Sequence, residues 1–477
     1  VPGAGSREPG AGSREPGAGS REPGAGSREP VTFGLSPDWL LADGRPFVDA
    51  LVLSHPEQLE RLRRVCPQAL RSAVLAGDPC FDRMLAARPY RERYRRALGV
   101  REGQRLIVLN STWNPEGFFG DGGGQDLLPS LLPRLPAELP ADDYRLAAVL
   151  HPNIWHGHGP GQIRAWLDRA LRSGLTLIDP VRAWRQALIA ADLVLGDFGA
   201  VTYYAAALGT PVLLASSAQE GLDPEAPLAA FVRDAPRLDP LAPLRPQVEE
   251  VWDRHRPLAG PAEFTTSSPG AAASLLRRSF YGLLELPEPA APALLEPLPL
   301  PPYEPAHRTA PLRVRTHVDH GSVEVERSTR IPYGATGETH LAVHEDTRDP
   351  GELELADVIW RAGQPDDPRL GGAAGWTAEI LRRHRHCVLA AYVTGADSCT
   401  VRTRGQGVLQ LSAGPGADAD PAAYASAAHA WLAAGGTVPA SGTTLHVRTA
   451  GIVHPVTVRA AAGSGTAPGA GRDTPGA

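Results

Sequence analysis

Short apolar runs alternate with segments of helical length along the first 285 residues of the chain. The alternation is typical of a parallel sheet whose strands are joined by crossover helices. The apolar runs are VDALVLS at 48–54, SAVLAGDP at 72–79, RLIVLNS at 105–111, RLAAVLHP at 145–152, LTLI at 175–178, DLVLGD at 192–197 and PVLLAS at 211–216. We therefore predict an α/β fold with a doubly wound parallel sheet in the middle of the chain.

The crossover segment GQIRAWLDRALRSG at 161–174 has a helical pattern. Its apolar residues follow the spacing i, i+3, i+4, i+7 and i+8, and they are Ile163, Trp166, Leu167, Ala170 and Leu171. This spacing places them on one face of a helix, and Gly174 stands where a C-terminal cap is expected. We predict a single amphipathic helix here.

The composition of the chain indicates its domain boundaries. Residues 2–29 are four identical copies of PGAGSRE, which is too poor in apolar side chains to order itself and has no coiled-coil seam. Such a perfect repeat is typical of expanded tandem DNA. The proline-dense segment 285–311 predicts an extended linker. The predicted units are a disordered repeat at 1–30, α/β units at 31–95 and 96–284, the linker at 285–311, a further domain at 312–462 and a flexible tail at 463–477.

Strand-like runs surround two helical segments, WTAEILRRHRH and PAAYASAAHAWLAAG, beyond the linker. This mixture predicts a smaller α+β domain, whose role stays open because it carries no recognised motif. His340 and His344 would be about 13 Å apart on a strand, too far to share one metal ion. His317 and His320 are expected on opposite faces of their strand. We predict that all four histidines lie at the surface.

The charge of the chain excludes several kinds of chemistry. A formal charge of −6 over 477 residues, without runs of like charge, gives no attraction to nucleic acid. The sequence has no lysine, which excludes a Schiff-base lysine and a phosphate-binding lysine. Arginine-only basic residues with abundant Ala, Gly and Pro are typical of a GC-rich bacterium. The widely spaced cysteines, which favour a reducing cytoplasm over a disulfide framework or a zinc site, are Cys66, Cys80, Cys387 and Cys399.

Targeting signals and common catalytic motifs are not evident in the sequence. No apolar run reaches the roughly 18 residues that span a bilayer, and no signal-peptide pattern is present. We predict no integral membrane segment, while peripheral contact with a membrane stays open, as does the translation start, because the first residue is Val. The sequence shows no G-x-S-x-G elbow, no G-K-[ST] phosphate loop and no G-x-G-x-x-G after a strand. It therefore gives no support to a hydrolase, a nucleotide triphosphatase or a dehydrogenase. No cofactor is predicted.

Four polar motifs follow predicted strands. They are GDPCFD at 77–82, NSTWNP at 110–115, HPNIWHGHG at 151–159 and GDFGAVT at 196–202. Ligands of open α/β sheets bind beyond the carboxyl ends of the strands. We therefore expect these motifs along one edge of the sheet.

The order of these motifs resembles that of the CDP-glycerol glycerophosphotransferases, which are transferases of the glycosyltransferase-B type that build teichoic acid polymers. It is also similar to that of the UDP-N-acetylglucosamine 2-epimerases. The resemblance covers roughly residues 31–285. It implies that 96–284 binds a nucleotide-linked donor, and that 31–95 is the remnant of an N-terminal domain whose acceptor-binding part is mostly missing.

The resemblance implies a phosphate site around the last motif. Asp197 corresponds to the aspartate that opens the family's D-Y-S-S turn, and Gly199 and Ala200 replace the two hydroxyl residues. A helix N-terminus still offers free N–H groups and a partial positive charge, and Thr202 keeps one hydroxyl. Each missing charge-assisted hydrogen bond forfeits about 1.5–3 kcal/mol, so the site is expected to be weakened.

His151 matches the histidine of the family's K-x-H-P motif and is our candidate catalytic residue, although Val149 replaces the lysine. It is either a phosphate contact or a polar strand terminus. Thr112 sits in the family's P-T-W motif, where it either bonds a phosphate or caps the next segment, and Trp113 is expected in the core. A Trp-His-Gly triplet at 155–157 is taken as a coincidence.

The loop histidines His156 and His158 are expected to be solvated, because their spacing to His151 matches no usual zinc site. A further motif partly matches the turn that lies at the interdomain cleft in the family. Its residues are Gly77, Asp78 and Asp82, and Cys80 stands in place of the family's arginine. The alternative is that these residues only form a turn before a helix that starts at Pro79.

Three hypotheses on function stay open. The first is a nucleotide-activated transferase that moves a glycerophosphate or a sugar from a CDP or UDP carrier, with impaired activity. The second is a non-catalytic scaffold or binding protein descended from such an enzyme, and the third is an enzyme similar to the UDP-N-acetylglucosamine 2-epimerases. The partner under the first hypothesis is a nucleotide-diphosphate donor, and the location is the cytoplasm.

Overall fold

The computed structural model describes residues 34–120, 126–217, 222–332, 334–363, 372–405, 407–414 and 416–461. The predicted disordered repeat at 1–30 and the tail at 463–477 lie outside the described residues. No helix among the described residues is both long and apolar enough to cross a membrane.

A small N-terminal unit precedes the main sheet. Its elements are α1 at Pro37–Leu40, β1 at Leu41–Ala42, β2 at Arg45–Pro46, β3 at Leu51–Leu53, α2 at Pro56–Val65, β4 at Ala73–Leu75, α3 at Pro79–Ala87 and α4 at Arg91–Ala97, with 3-10 helices at Pro67–Ser72 and Arg88–Tyr90. Strands β3 and β4 pair in parallel, as their apolar runs predict. Helix α2 starts where the pattern places it, because Pro56 fits the first helical turn and the His55 side chain accepts a hydrogen bond from Glu57 N.

A five-stranded sheet forms the centre of the molecule. Its strands are β5 at Arg105–Ser111, β6 at Tyr144–Leu150, β7 at Thr176–Leu177, β8 at Leu193–Gly196 and β9 at Val212–Leu214. All neighbours are parallel and their order is β7-β6-β5-β8-β9, so the chain starts in the middle, builds one side and then crosses to the other. The predicted parallel sheet is confirmed, and the reversal of strand order between β5 and β8 is the topological switch point.

Helices cover both faces of this sheet. They are α5 at Leu127–Leu131, α6 at Leu135–Glu138, α7 at Pro152–His158, α8 at Pro160–Trp166, α9 at Asp168–Arg172, α10 at Trp184–Ala190, α11 at Ala200–Ala207, α12 at Pro227–Asp234, α13 at Leu244–Asp253, α14 at Ala259–Thr265 and α15 at Ala272–Leu283. Leu106 and Val108 of β5 belong to one core, and Ile107 and Leu109 belong to the other. Both faces of β5 are therefore buried, and β6, β8 and β9 are buried along their whole length, which explains the uninterrupted apolar runs.

The single helix predicted at 161–174 is wrong in one respect, since the segment forms two short helices, α8 and α9, that meet at Leu167. Ile163, Leu167 and Ala170 are buried as predicted, but Trp166 is 52% exposed. The break at Leu167 turns the indole out of the buried stripe. Gly174 follows the end of α9 with a φ of 104°, a conformation that favours glycine.

The proline-rich segment 285–311 follows the surface of the α/β domain without forming a helix or strand. Tyr94 Oη donates a hydrogen bond to Leu298 O, and Gln186 Nε2 donates one to Pro299 O. Glu304 N donates to Ala97 O at 2.8 Å. The extended conformation agrees with the composition, and these contacts hold the segment along α4 and α10.

The segment predicted as an α+β domain is a closed barrel of nine strands with helices inside and outside it. Its elements are β10 at Leu312–Asp319, β11 at Ser322–Ser328, β12 at Glu338–His344, α16 at Pro350–Glu354, β13 at Val358–Ala362, α17 at Gly372–Arg383, β14 at Leu389–Val393, β15 at Ser398–Thr403, β16 at Gly407–Ala413, α18 at Pro421–Ala433, β17 at Thr443–Thr449 and β18 at Ile452–Ala460. The strand order is β10-β11-β17-β18-β16-β15-β14-β13-β12. The prediction of strands with two major helices was correct, but closure was not predicted.

Helix α18 lies inside the barrel. Nine of its thirteen residues are buried, and seven of these share one hydrophobic core with the inward side chains of the strands. Alanines dominate the helix, so its narrow cylinder fits within the ring of strands. Pro421 occupies the first turn and the Asp420 side chain accepts a hydrogen bond from Ala422 N, which fixes the start of the helix.

A buried ion-pair network joins the barrel to the α/β domain. Arg327 of β11 is 1% exposed and donates to both carboxylate oxygens of Asp142, at 2.9 and 2.7 Å, in the loop before β6. The same guanidinium donates to Asp420 at 2.7 Å. Burial alone would raise the pKa of the Asp420 carboxyl, but Arg327 holds it below its usual range. One arginine thus connects the two domains and the start of α18.

The predicted surface position is wrong for two histidines of the barrel. His340 and His344 are 7% and 5% exposed, because both belong to the inward face of β12. His317 is exposed, whereas His320 lies in the turn after β10 with a φ of 44° and not on a strand. The His340 ring lies 4.4 Å from the His429 ring of α18, centroid to centroid.

The His340–His429 pair is held in its neutral form. Burial, followed by the proximity of His429, lowers the pKa of His340 to about 3, and burial lowers the pKa of His429. His340 Nε2 and His429 Nδ1 have no hydrogen-bond partner among the described residues. Protonation would therefore place an uncompensated charge in an apolar interior.

We predict that acid destabilises the barrel through His340. Its folded-state pKa lies below the unfolded value of about 6.5, so stability is full above pH 6.5 and is lost as the pH falls towards 3. The expected loss between pH 7 and pH 5 is about 2 kcal/mol for this histidine. Urea denaturation at the two pH values measures it.

The matched variants are His340→Leu and His317→Leu, a buried and an exposed histidine of neighbouring strands. The His340→Leu variant should lose less stability between pH 7 and pH 5 than the wild type, whereas His317→Leu should behave like the wild type. An equal pH dependence in all three proteins would contradict the prediction.

Candidate functional site

Three strand ends meet at the switch point of the sheet. β5 lies between β6 and β8, so the segments after these strands are neighbours. His151 N donates a hydrogen bond to Ser111 O at 3.0 Å, which joins the ends of β6 and β5. Three of the four predicted motifs therefore come together at one edge of the sheet.

Asp197 binds the loop after β5 to the turn after β8. The residue is fully buried, and its Oδ2 accepts hydrogen bonds from Thr112 N at 2.8 Å, Phe118 N at 2.9 Å and Ser111 Oγ at 3.2 Å. Its Oδ1 accepts from Gly199 N at 3.0 Å. Burial raises the pKa of this carboxyl, and the four hydrogen bonds oppose the rise. The carboxylate fixes the positions of the two loops. It is not available to contact a ligand, because both of its oxygens already accept hydrogen bonds from the protein.

The Thr202 hydroxyl is also used within the protein. Thr202 is fully buried, and its Oγ1 accepts a hydrogen bond from Asn110 Nδ2 at 3.0 Å. The backbone of Gly196 passes directly over this hydroxyl, where a Cβ would collide with it. The Thr202 side chain therefore lies in the α/β core. The sequence analysis had considered its hydroxyl as a group that could bind a phosphate.

The N-terminus of α11 has an open first turn. Gly199 has an extended backbone at the cap position, and no side chain caps the helix. The N–H groups of Ala200, Val201 and Thr202 have no acceptor among the described residues. Ala200 is exposed, and the Phe198 ring is 8% exposed and belongs to the hydrophobic core. These backbone donors form the electropositive end of the helix.

Thr112 packs against this helix end. A Cβ at Gly199 would lie 3.0 Å from the Cβ of Thr112, so glycine allows the close approach of the two turns. Trp113 was predicted in the core, but it is 51% exposed. Its ring lies 6.4 Å from that of His151.

His151 caps α7 through one ring nitrogen. Its Nδ1 accepts a hydrogen bond from Asn153 N at 3.1 Å, and burial lowers the pKa of the imidazole. The ring is therefore neutral near pH 7, with its proton on Nε2. This tautomer can donate one hydrogen bond from Nε2 to an anionic ligand.

The segment after His151 is helical, although it was expected to be a glycine-rich loop. His156 and His158 both lie on α7, Pro152–His158, and both are exposed, as expected. The His158 ring lies 5.1 Å from Trp166 and 5.9 Å from Phe119, so it packs against aromatic rings. No group of three or more His, Cys, Asp or Glu residues in the described part of the chain could hold a metal ion.

The turn from Gly77 to Asp82 connects the N-terminal unit to α11 and α15. Asp78 accepts from Phe81 N at 2.9 Å as the cap of α3, and its other oxygen accepts from Tyr204 Oη at 2.5 Å. Asp82 is 2% exposed and accepts from Gly270 N and Ala272 N, at the start of α15. Gly77 has a φ of 78°, which favours glycine. These carboxylates make structural contacts at the domain junction.

The sequence analysis quoted Asn110 and Ser111 within the NSTWNP motif without assigning them a contact, and it did not single out Phe118 or Tyr204. Each contacts a predicted site residue across a separation of 79 to 126 residues. Asn110 and Ser111 lie at the end of an apolar run, and this position at a strand end is the signal that placed their motif at the edge of the sheet. Phe118 acts through its backbone, so its side chain carries no signal.

No protein-family model matches the chain, and no curated protein matches it. Several solved structures are similar to part of it. The wall teichoic acid polymerase TagF is 16% identical, with 49% of this chain and 52% of that chain covered and a TM-score of 0.30. The UDP-GlcNAc 2-epimerase from Neisseria meningitidis bound to UDP-GlcNAc is 13% identical, with 49% and 61% covered and a TM-score of 0.29.

A glycosyltransferase from Rickettsia africae ESF-5 is 12% identical, with 51% of this chain and 63% of that chain covered and a TM-score of 0.30. The chain thus spans between half and two thirds of the length of these three structures. Both families that the sequence motifs resemble occur among the similar structures. Identities and scores of this size carry no information on activity.

We predict that Asp197→Ala destabilises the α/β domain by about 3 kcal/mol, because buried N–H groups of two loops lose their acceptor. Urea denaturation followed by tryptophan fluorescence measures the change. The control is Asp179→Ala, since this exposed aspartate also accepts two backbone N–H bonds, from Val181 and Arg182. An equal, small effect of both substitutions would show that Asp197 does not hold the two loops together.

Proposed function

We propose that the α/β domain binds the diphosphate of a nucleotide-linked donor, and that the protein is a transferase that moves a glycerophosphate or sugar unit from a CDP or UDP carrier. The supporting observation is the open first turn of α11, beside Thr112 and His151 at the switch point of the sheet. A helix N-terminus with free N–H groups is suited to phosphate.

The charges around the helix end agree with an anionic ligand of modest affinity. The Asp197 carboxylate is satisfied by four hydrogen bonds, so it does not compete for the free N–H groups. Val149 stands where a lysine would supply a cation, and Ala200 offers no hydroxyl. Two lost contacts of this kind reduce affinity by about 100-fold or more.

His151 is suited to support departure of the nucleotide. Its Nε2–H is the free donor of a neutral ring, and a hydrogen bond from it would stabilise charge that develops on a leaving phosphate oxygen. The base that would accept the proton of the attacking hydroxyl is not assigned. All four cysteines are free, which agrees with a reducing cytoplasm.

A second candidate function is a non-catalytic protein that binds a nucleotide diphosphate. It is favoured by the structural use of the polar side chains in the motifs. Asp78, Asp82 and Thr202 all bond within the protein, so none of them is available as a base. The same site serves both candidates, and turnover separates them.

We predict opposite effects of two substitutions at the exposed position 200. Ala200→Asp should abolish binding of CDP and UDP, because a carboxylate occupies the helix end, while the helix itself is stabilised by the new charge. Ala200→Ser should strengthen binding about tenfold by restoring a hydroxyl. Isothermal titration calorimetry with CDP, UDP, CDP-glycerol and UDP-GlcNAc at millimolar concentration measures both effects.

The matched control is Ala165→Asp, at an exposed alanine of α8. It should leave nucleotide binding unchanged. Release of CMP from CDP-glycerol, or of UDP from UDP-GlcNAc, distinguishes a transferase from a binding protein, and His151→Ala should lower that release more than it lowers binding. If none of the nucleotides binds to the wild-type protein, both candidate functions fail.

A further inference from the structure

A cavity of about 430 Å³ lies on one side of the α/β domain. Its walls come from α5, from the segment after α5 and from α8 and α9, and Thr329 of the barrel closes one side. Thr329 N donates a hydrogen bond to Pro136 O at 2.9 Å, so the barrel fixes this rim. The volume lies within the range of small-molecule sites.

Aromatic rings form one wall of the cavity. Phe119, His158 and Trp166 lie against one another, with ring centroids separated by 5.1 to 6.1 Å. The indole of Trp166 is nevertheless 52% exposed, so much of its area remains available at the mouth. Ring faces presented in this way favour another planar ring, by offset or edge-to-face stacking.

The remaining wall is apolar and stiff. Leu128, Leu167 and Ala170 are at most 7% exposed and line the cavity. Proline residues restrict the backbone beside them, and they are Pro129, Pro133 and Pro136. A preformed apolar space of this kind binds a rigid ligand with little loss of conformational freedom.

Arg169 supplies a positive charge at the same cavity. The side chain is exposed, and it forms no ion pair within the described part of the chain. Its neighbour Arg172 pairs with Asp168, which also pairs with Arg348. The carboxylate of Asp126, which lines the cavity too, packs against Gly120 and already has a partner. Arg169 is therefore the cation of this cavity that can pair with an anionic group of a ligand.

We propose that this cavity binds a ligand with a small planar aromatic ring and an anionic group. The ligand is either a free aromatic carboxylate or a nucleotide, whose base is the ring and whose phosphate is the anionic group. The ring stacks on the wall of Phe119, His158 and Trp166, and the anionic group pairs with Arg169. This site does not depend on the proposed diphosphate site at Gly199.

Fluorine NMR of protein labelled with 5-fluorotryptophan tests the proposal. Trp166→Phe assigns the resonance of Trp166 among the nine tryptophans. We expect 2-naphthoate to shift this resonance saturably. Leu132→Trp, which fills the cavity, should weaken binding at least about tenfold, whereas Leu241→Trp at a 93% exposed position should leave it unchanged.

A second pair of variants tests the charge. Arg169→Gln should weaken binding of 2-naphthoate about tenfold and leave binding of the neutral 2-naphthamide unchanged. Arg164→Gln, at an exposed arginine of the neighbouring helix α8, should change neither. Trp166→Ala alters a half-exposed ring and is expected to fold, so it tests the stacking wall if Leu132→Trp is unstable. Its binding of 2-naphthoate is measured by isothermal titration calorimetry, because this variant lacks the reporter tryptophan.

Two ligand sources are distinguished by a parallel titration with CMP. A shift of Trp166 by 2-naphthoate alone assigns the cavity to a free aromatic acid, and competition between CMP and 2-naphthoate assigns it to a nucleotide base. Ala200→Asp should leave 2-naphthoate binding unchanged, so failure of the proposed function does not affect this result. If neither probe shifts Trp166, or if Arg169→Gln and Trp166→Ala both bind like the wild type, the proposal is wrong.

Discussion

The candidate site depends on the hydrogen bonds that the buried Asp197 carboxylate accepts. Its two oxygens hold the loop after β5 and the turn after β8 in one arrangement, at the point where the strand order of the sheet reverses. The free N–H groups of α11 are displayed because Gly199 is fixed beside Thr112. A buried charge that organises backbone donors gives the site its shape, and the contacts with any ligand are left to the helix end and to His151.

The central sheet could be predicted because both faces of β5, β6, β8 and β9 are covered. Burial on two sides requires continuous apolar runs, and these are visible in the sequence at 105–111 and 145–152. The break between α8 and α9 was not visible, because the apolar spacing continues across Leu167. Trp166 thereby leaves the core, a change that depends on backbone geometry and not on residue type.

The site was predictable as a location but not as a set of contacts. The switch point follows from strand order, and the polar residues after the strands marked it. Which hydroxyl or carboxylate faces outward depends on pairings such as Asn110 with Thr202 and Asp78 with Tyr204, which join distant parts of the chain. Closure of the barrel could not be predicted either. Helix α18 is apolar on all sides, so its sequence does not show which face packs against the strands.

The position of α18 inside the barrel has a consequence for the order of assembly. Strands β17 and β18 come last in the chain, yet they fill the gap between β11 and β16. The ring of strands around the alanine-rich helix therefore cannot close before this hairpin pairs with β11 and β16. Because synthesis runs from the N-terminus, the other seven strands are made before the two that complete the ring, and a chain that stops before β17 leaves the channel open to water on that side.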